Sequence, residues 1–223
     1  MNLEQMRSNM VEQQIRTWEV LDQEVLDSLY VIPREEFVPA PHRALAFSDL
    51  ELPLLEGTKA GEGERMWQPK LEARVLQELA LKKTDRVLEV GTGSGYLTAL
   101  LAHRAAEVIS VELRPALAAF GRENLERHGT DNVILEIGDA AHGWDKHAPY
   151  DAIVLTGSTP VLPRAFLEQL NPGGRLFAVV GEAPAMQARL SFCTAPGAWH
   201  SVDLFETVIR PLANAEQARR FRF

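Results

Sequence analysis

The sequence has little of several things that would place it in a class at once. It holds one cysteine, Cys193, so no internal disulfide can form, and no set of Cys and His residues has metal-ligand spacing. A disulfide-stapled scaffold and a zinc module are therefore excluded, and no metal is expected. No apolar run approaches the roughly 18 residues that suggest a membrane span, and nothing resembles a secretory signal. Basic residues number 23 against 31 acidic ones and are scattered, apart from the short tail Arg219-Arg220-Phe221-Arg222. Nucleic-acid-binding surfaces carry a basic stripe, so neither nucleic acid nor membrane is expected as a partner. No internal repeat or low-complexity segment interrupts the 223 residues, a length that suits one sizeable core with an appendage. A soluble cytoplasmic protein is the default expectation, and nothing in the sequence marks its oligomeric state.

What is present centres on Arg86 to Glu112. Val87, Leu88 and Val90 form a short apolar run, which Gly91-Thr92-Gly93-Ser94-Gly95 breaks with glycine at every second position. This is the pattern of a buried strand ending in a tight turn. Leu97, Leu100 and Leu101 then recur at helical spacing to about Ala106, and Val108-Ile109-Ser110-Val111 is a second apolar run. Strand, glycine turn, helix and strand make the first half of a nucleotide-binding βαβ unit. Glu112 ends the second strand 21 residues after Gly91, where an acidic side chain can accept from both hydroxyls of a ribose. A dinucleotide fingerprint wants glycine at the sixth position of G-x-G-x-x-G; here Tyr96 holds it and the third glycine comes one residue early. With Glu89 the pattern is E-x-G-x-G-x-G, which is similar to the first motif of the class I S-adenosylmethionine (SAM) methyltransferases. Charge points the same way. Glu89 and Glu112, with no Lys or Arg between Val87 and His103, suit a sulfonium cation better than two phosphates.

Around this centre the periodicity predicts the remaining elements. Leu3, Met6, Met10, Val11, Ile15 and Trp18 give one helical stretch, and Val25, Leu26 and Leu29 a second, with Asp22 as its N-cap. Pro33, Pro39 and Pro41 predict an extended connection without regular helix across Val31 to Arg43. A short edge strand is expected within Asp49 to Leu55, then a polar, glycine-rich loop from Glu56 to Arg65, and a helix opened by Pro69. After Glu112 come a helix from Pro115 to about His128, strands at Val133 to Ile137 and Asp151 to Thr156, a short helix at Pro163 to Leu170, and a strand at Leu176 to Val180. Alternation of this kind implies a parallel sheet with right-handed crossovers. Arg189 to Thr194 and Ser201 to Ile209 read as an antiparallel hairpin. The expected fold is α/β: a Rossmann-like class I methyltransferase core with helices on both faces of a mostly parallel sheet and a C-terminal hairpin. Residues 66–223 form that SAM-binding core, and 1–65 a helical extension and loop packed on it.

Three further stretches narrow the resemblance. Asn9-Met10-Val11-Glu12-Gln13-Gln14-Ile15, followed by Val25-Leu26 and by Val31-Ile32-Pro33-Arg34-Glu35-Glu36-Phe37-Val38-Pro39, resembles the N-terminal signature of the protein-L-isoaspartate O-methyltransferases. Leu52-Pro53-Leu54, then Gln68-Pro69 before a helix, then VLEVGTGSGYLTALLA, continues it, and Ile209-Arg210-Pro211-Leu212 resembles the closing Val-Pro-Leu segment. The resemblance implies transfer of a methyl group from SAM to the α-carboxylate of an isoaspartyl residue in a damaged protein or peptide. It also implies a cofactor set. Gly91, Gly93 and Gly95 would carry backbone past the methionine part, Glu89 would steady the turn or the amino group, Glu112 would take the ribose and Asp139 the adenine amino group, with Thr92, Ser94, Leu113, Gly138 and Ala140 in the same cofactor-binding set. A plain turn residue after a strand is the lesser alternative for Asp139. Gln68, Thr156, Gly157 and Ser158, with Thr159, are placed on the acceptor side, where Thr and Ser are also common in plain loops. His142 and His147 read as solvated loop residues.

The acceptor half departs from the pattern. Where the family usually has Ser two residues before the proline, at the acceptor carboxylate, this chain has Trp67, which can lid the methyl group or block the acceptor site. The preceding loop is stretched through Lys59 to Arg65, and Glu62 and Glu64 repel an anionic acceptor unless Lys59 or Arg65 compensates. Three readings follow from the residues: an isoaspartate methyltransferase with a drifted acceptor site, a methyltransferase on another acceptor, and a SAM-binding protein without transfer activity.

Overall fold

The computed structural model describes residues 2–54 and 63–217. The extended loop's Lys59 and Glu62 and the tail from Arg219 to Arg222 lie outside them.

The chain opens with α1 (Leu3–Met10), which loosens into a π turn at Val11–Ile15 and a 3-10 turn at Arg16–Trp18. Helix α2 (Gln23–Val31) begins at Asp22, whose side chain accepts from the backbone N–H groups of Glu24 and Val25. The expectation of an unbroken extended connection after it is wrong. Helix α3 (Arg34–Phe37) and a 3-10 turn at Ala40–Leu45 occupy it, because Pro33 stands at the N-cap of the one and Pro41 in the first turn of the other. Proline's fixed φ suits a helix start, and its missing N–H is not needed there.

Strand β1 (Leu52–Pro53) pairs antiparallel with β2 (Arg65–Met66) as a separate two-stranded ribbon, not at the edge of the main sheet. Then follow α4 (Pro69–Leu79), β3 (Arg86–Val90), α5 (Tyr96–Arg104), β4 (Glu107–Glu112), α6 (Pro115–Arg127), β5 (Val133–Ile137), β6 (Tyr150–Leu155), α7 (Arg164–Glu168) and β7 (Leu170–Glu182). Strands β8 (Ala185–Ala195) and β9 (Ala198–Glu206) close the seven-stranded sheet, in the order β5-β4-β3-β6-β7-β8-β9. The first five are parallel and the last two antiparallel, so the expected hairpin is there. Its extent was underestimated: β7 runs on past Val180 to a second hairpin with β8, while the last strand stops at Glu206.

Side chains alternate across this sheet with period two. Val87, Val108, Val154 and Phe177 join an apolar cluster on one face, and Leu88, Ile109, Ile153 and Leu176 a cluster on the other. The first cluster also takes in Met10, Ile15 and Leu29 from the N-terminal segment and Leu71, Leu76 and Leu100 from α4 and α5. One continuous core therefore crosses the 65/66 boundary.

A buried ion pair ties the N-terminal segment to that core. Arg34, 1% exposed, donates to the Glu72 carboxylate on α4, to the Trp67 carbonyl at 2.5 Å and to the Ala46 carbonyl at 2.9 Å. Its guanidinium also lies 5.0 Å from the centre of the Tyr96 ring. Burial pushes the Glu72 carboxyl above the ordinary carboxylate range, against the pull of Arg34. Breaking one side of such a pair leaves a charge stranded, at about 3–5 kcal/mol, whereas replacing both by apolar groups is often neutral. Arg34→Met is thus expected to lower unfolding free energy by about 3–5 kcal/mol in urea denaturation, and Arg34→Met/Glu72→Met to recover most of it. Equal losses in the two variants would show that the pair is not what anchors this segment.

Candidate functional site

The strand order reverses direction at β3, and the carboxyl ends of β4, β3 and β6 open onto a cavity of about 440 Å³. Ligands in open α/β sheets bind at such a switch point. Its floor is the glycine turn. Gly91 (φ +101°) and Gly93 (φ +54°) take backbone angles that side chains resist, and a Cβ on Gly91 would meet the Thr156 hydroxyl at 2.1 Å. That hydroxyl donates to the carbonyls of Val90 and Gly91 at 2.8 and 2.9 Å and fixes the turn against β6.

Helix α6 holds the turn from the other side. A Cβ on Gly121 would lie 2.9 Å from the Thr92 methyl and 3.2 Å from the Gly93 carbonyl, and the Asn124 amide donates to the Ser94 carbonyl at 2.9 Å. Gly95 belongs to this contact. It does not line the cavity, and a Cβ there would meet the Gly121 carbonyl at 3.0 Å. Its side facing α6 is thus closed to a side chain, while Gly91, Thr92, Gly93 and Ser94 line the cavity.

Two acids flank the turn. Glu89 is fully buried, and its Oε2 accepts from the hydroxyls of Thr98 and Ser110 at 2.5 and 2.6 Å. Its Oε1 has no hydrogen-bond partner among the described residues. Burial pushes its pKa up to about 8 against the help of Ser110 and Thr98, and the charges of Glu112 and Glu72 push the same way. Glu112 bridges two loops, accepting from the Gly93 N–H through Oε2 and the Arg114 N–H through Oε1, both at 3.0 Å. Leu113, Arg114 and Leu117 continue that wall.

At the end of β5, Gly138, Asp139 and Ala140 line the cavity. The Trp144 ring lies against Gly138, where a Cβ would meet it at 2.5 Å, and its indole N–H donates to Glu136 at 2.9 Å. Asp139 accepts from the Ala141 N–H at 3.0 Å and from the Asn214 amide at 2.8 Å. His147 approaches Glu136 at 3.0 Å, and His142 is exposed. Neither lines the cavity.

The opposite wall brings Trp67, Thr156 and Gly157 together with Glu51, Leu54, Met66, Glu72 and residues 210–213. Gln68 and Ser158 are not part of it. Gln68 is the residue before α4, and Ser158 is fully buried, donating its hydroxyl to the Ile209 carbonyl at 3.2 Å. A side chain facing the ligand and one fixing the loop behind it look alike in sequence. Thr159 likewise stays buried, bonding the Val161 carbonyl at 2.5 Å. Glu64 finds its compensation in Arg114, with which it forms an ion pair, and not in Arg65. Burial raises the pKa of Glu51, opposed by Arg65 and Arg210.

Several of these residues carry no sequence signal. Glu72 sits in a plain helical run, and Gly121 and Asn124 in an ordinary amphipathic helix, while Arg34 was marked only as part of the stretch likened to an N-terminal signature. Arg210 to Leu212 was marked only through its likeness to a closing segment, with no place at the site implied.

The site fits a cationic, nucleoside-bearing cofactor. An unpartnered buried carboxyl oxygen, a glycine cradle and a bridging acid surround one cavity, with no Lys or Arg in the turn. Among the described residues no group of acids, His and Cys is arranged to hold a metal.

Comparison with known proteins agrees with this geometry. The family model described as Protein-L-isoaspartate(D-aspartate) O-methyltransferase matches residues 5–207. A protein-L-isoaspartate O-methyltransferase of Methanoculleus marisnigri is 45% identical over 175 residues, 78% of this chain and 77% of the relative. Protein-L-isoaspartate O-methyltransferase 1 of Syntrophobacter fumaroxidans is 37% identical over 186 residues, 83% and 84% of the two chains. A solved protein-L-isoaspartate O-methyltransferase superposes with a TM-score of 0.79 at 26% identity, over 95% of this chain and 66% of that one. A Plasmodium falciparum protein solved with S-adenosyl-L-homocysteine shares the fold, with a TM-score of 0.76 at 20% identity over 96% and 99% of the two chains. From its first helix to its last strand, this chain belongs to the protein-L-isoaspartate O-methyltransferase family.

Proposed function

We propose that this protein transfers a methyl group from SAM to the α-carboxylate of L-isoaspartyl residues in damaged proteins. The observation that carries the reading is that the family match spans residues 5–207, taking in the N-terminal segment, glycine turn and hairpin alike. Bound SAM supplies a methyl group on a positively charged sulfur. An acceptor carboxylate near its ordinary pKa is already ionised at neutral pH, so the chain needs no general base, and none of its histidines lines the cavity. Its residues have to bind, orient and exclude water.

Each wall has a part in that. The free Oε1 of Glu89 faces the cofactor's cationic end, Glu112 its ribose, and Asp139 its adenine amino group. Thr156 and Gly157 border the acceptor side, where Trp67, Leu54 and Leu212 supply an apolar screen against water. No described helix is long and apolar enough to cross a membrane, and a chain with one cysteine suits the cytoplasm, which we take as its place of action. A second reading, transfer to a different acceptor, rests on Trp67, whose buried indole borders the cavity at the position of the family's usual Ser.

Three outcomes test these assignments. Purified protein with labelled SAM and an isoaspartyl peptide should give a base-labile methyl ester, and Trp67→Ser should raise kcat/KM for the peptide; SAM turnover on another acceptor, with no ester in either protein, favours the second reading. Glu112→Ala should weaken S-adenosyl-L-homocysteine by about 10–100-fold in calorimetry, the cost of losing charged hydrogen bonds, and unchanged affinity removes Glu112 from the ribose. Glu89 is protonated below about pH 8, and a cation at Oε1 favours its ionised form. SAM affinity should therefore rise from pH 6 to 8 with proton release, a slope that Glu89→Gln should flatten.

A further inference from the structure

The chain beyond β9 forms a strap along one wall of the cavity. Ile209 and Ala215 are buried anchors, and Arg210, Pro211, Leu212 and Ala213 between them line the cavity. At the end of β6 the strap is pinned like a short strand: the Ser158 N–H donates to the Arg210 carbonyl at 2.8 Å, and the Leu212 N–H to the Ser158 carbonyl at 2.9 Å. Gly157 lets it come close, since a Cβ there would meet Leu212 at 2.9 Å. At the end of β5 it is pinned again, by the Asn214 amide on Asp139 at 2.8 Å. Asn214 holds a left-handed φ of +62°, one that asparagine tolerates better than most residues. Strands β5 and β6 stand three steps apart in the sheet, so the strap spans roughly 14 Å at about 4.8 Å per step.

We infer that Asn214 is a positioning residue that couples the two ends of the site: by holding Asp139 it makes occupation of the cofactor end tighten the strap at the acceptor end. The inference rests on the cofactor reading above and adds a route by which the bound cofactor prepares the acceptor wall. Asp139 keeps lone pairs for the adenine amino group while it accepts from Asn214, so a cofactor that orders Asp139 also orders the strap. The coupling is reciprocal in binding: an acceptor packed against Leu212 tightens the cofactor by the same factor.

Hydrogen exchange at the Ser158 and Leu212 amides, with and without S-adenosyl-L-homocysteine, tests this without reference to any acceptor. The ligand should slow both amides about fivefold in the native protein, the worth of one hydrogen bond. Asn214→Gly keeps the left-handed backbone and removes the amide, and should abolish that slowing. Asn214→Asp faces Asp139 with a second carboxylate and should do the same. In turnover, Asn214→Gly should raise the peptide KM about 3–10-fold with kcat little changed. Equal ligand-induced protection in native protein and Asn214→Gly, or no protection in either, overturns the coupling. Failure of the isoaspartyl reading is seen separately, as absence of methyl ester in the native enzyme.

Discussion

The guanidinium of Arg34 is the contact on which the rest of the site depends. Four neighbours meet it: the Glu72 carboxylate, the carbonyls of Trp67 and Ala46, and the Tyr96 ring. Each belongs to a different part of the chain. Tyr96 begins the helix that follows the glycine turn, Trp67 carries the indole of the acceptor wall, and Glu72 lies on the helix between them. A cation with five donors in a fixed fork can hold several acceptors at set angles, which a lysine cannot. The N-terminal segment is thus a structural part of the acceptor wall, since the residue that fixes Trp67's backbone comes from it.

The second organising fact is electrostatic. Glu72, Glu89 and Glu112 line a single cavity, and beyond its burial the charges of Glu112 and Glu72 add to the cost of ionising Glu89. Ionising Glu89 is therefore costly without a partner. A cation bound beside it favours its charged form, whereas a pyrophosphate would oppose it. The early third glycine and the charge pattern therefore express one requirement, a turn that approaches its ligand closely and is negative around it.

How far the sequence revealed this depends on whether an effect is local. The βαβ unit, the Asp22 cap, the parallel strands and the hairpin were legible because periodicity, capping and turn chemistry act within a few residues. The segment from Val31 to Arg43 was misread because proline forbids a helix interior but favours a helix start, and the count of prolines does not say which applies. Glu89, Glu112 and Asp139 were legible as positions at strand ends. Gly95 and Ser158 were not separable from their neighbours, because a residue that lines a cavity and one that supports its wall differ only in what stands behind them. Glu72, Arg114 and Asn214 act across 38, 50 and 75 residues of chain, and separations of that size leave no local pattern.

The close approach of α6 to the glycine turn also bears on how tightly a small molecule can be held. Gly121 lets the helix backbone rest on Thr92 and Gly93, and Asn124 ties Ser94 to the same helix. The turn's shape is set when the helix docks, during folding, so its loss of conformational freedom is already complete when a ligand arrives. A short glycine-rich stretch, among the most pliant of sequences in isolation, here serves as a rigid mould.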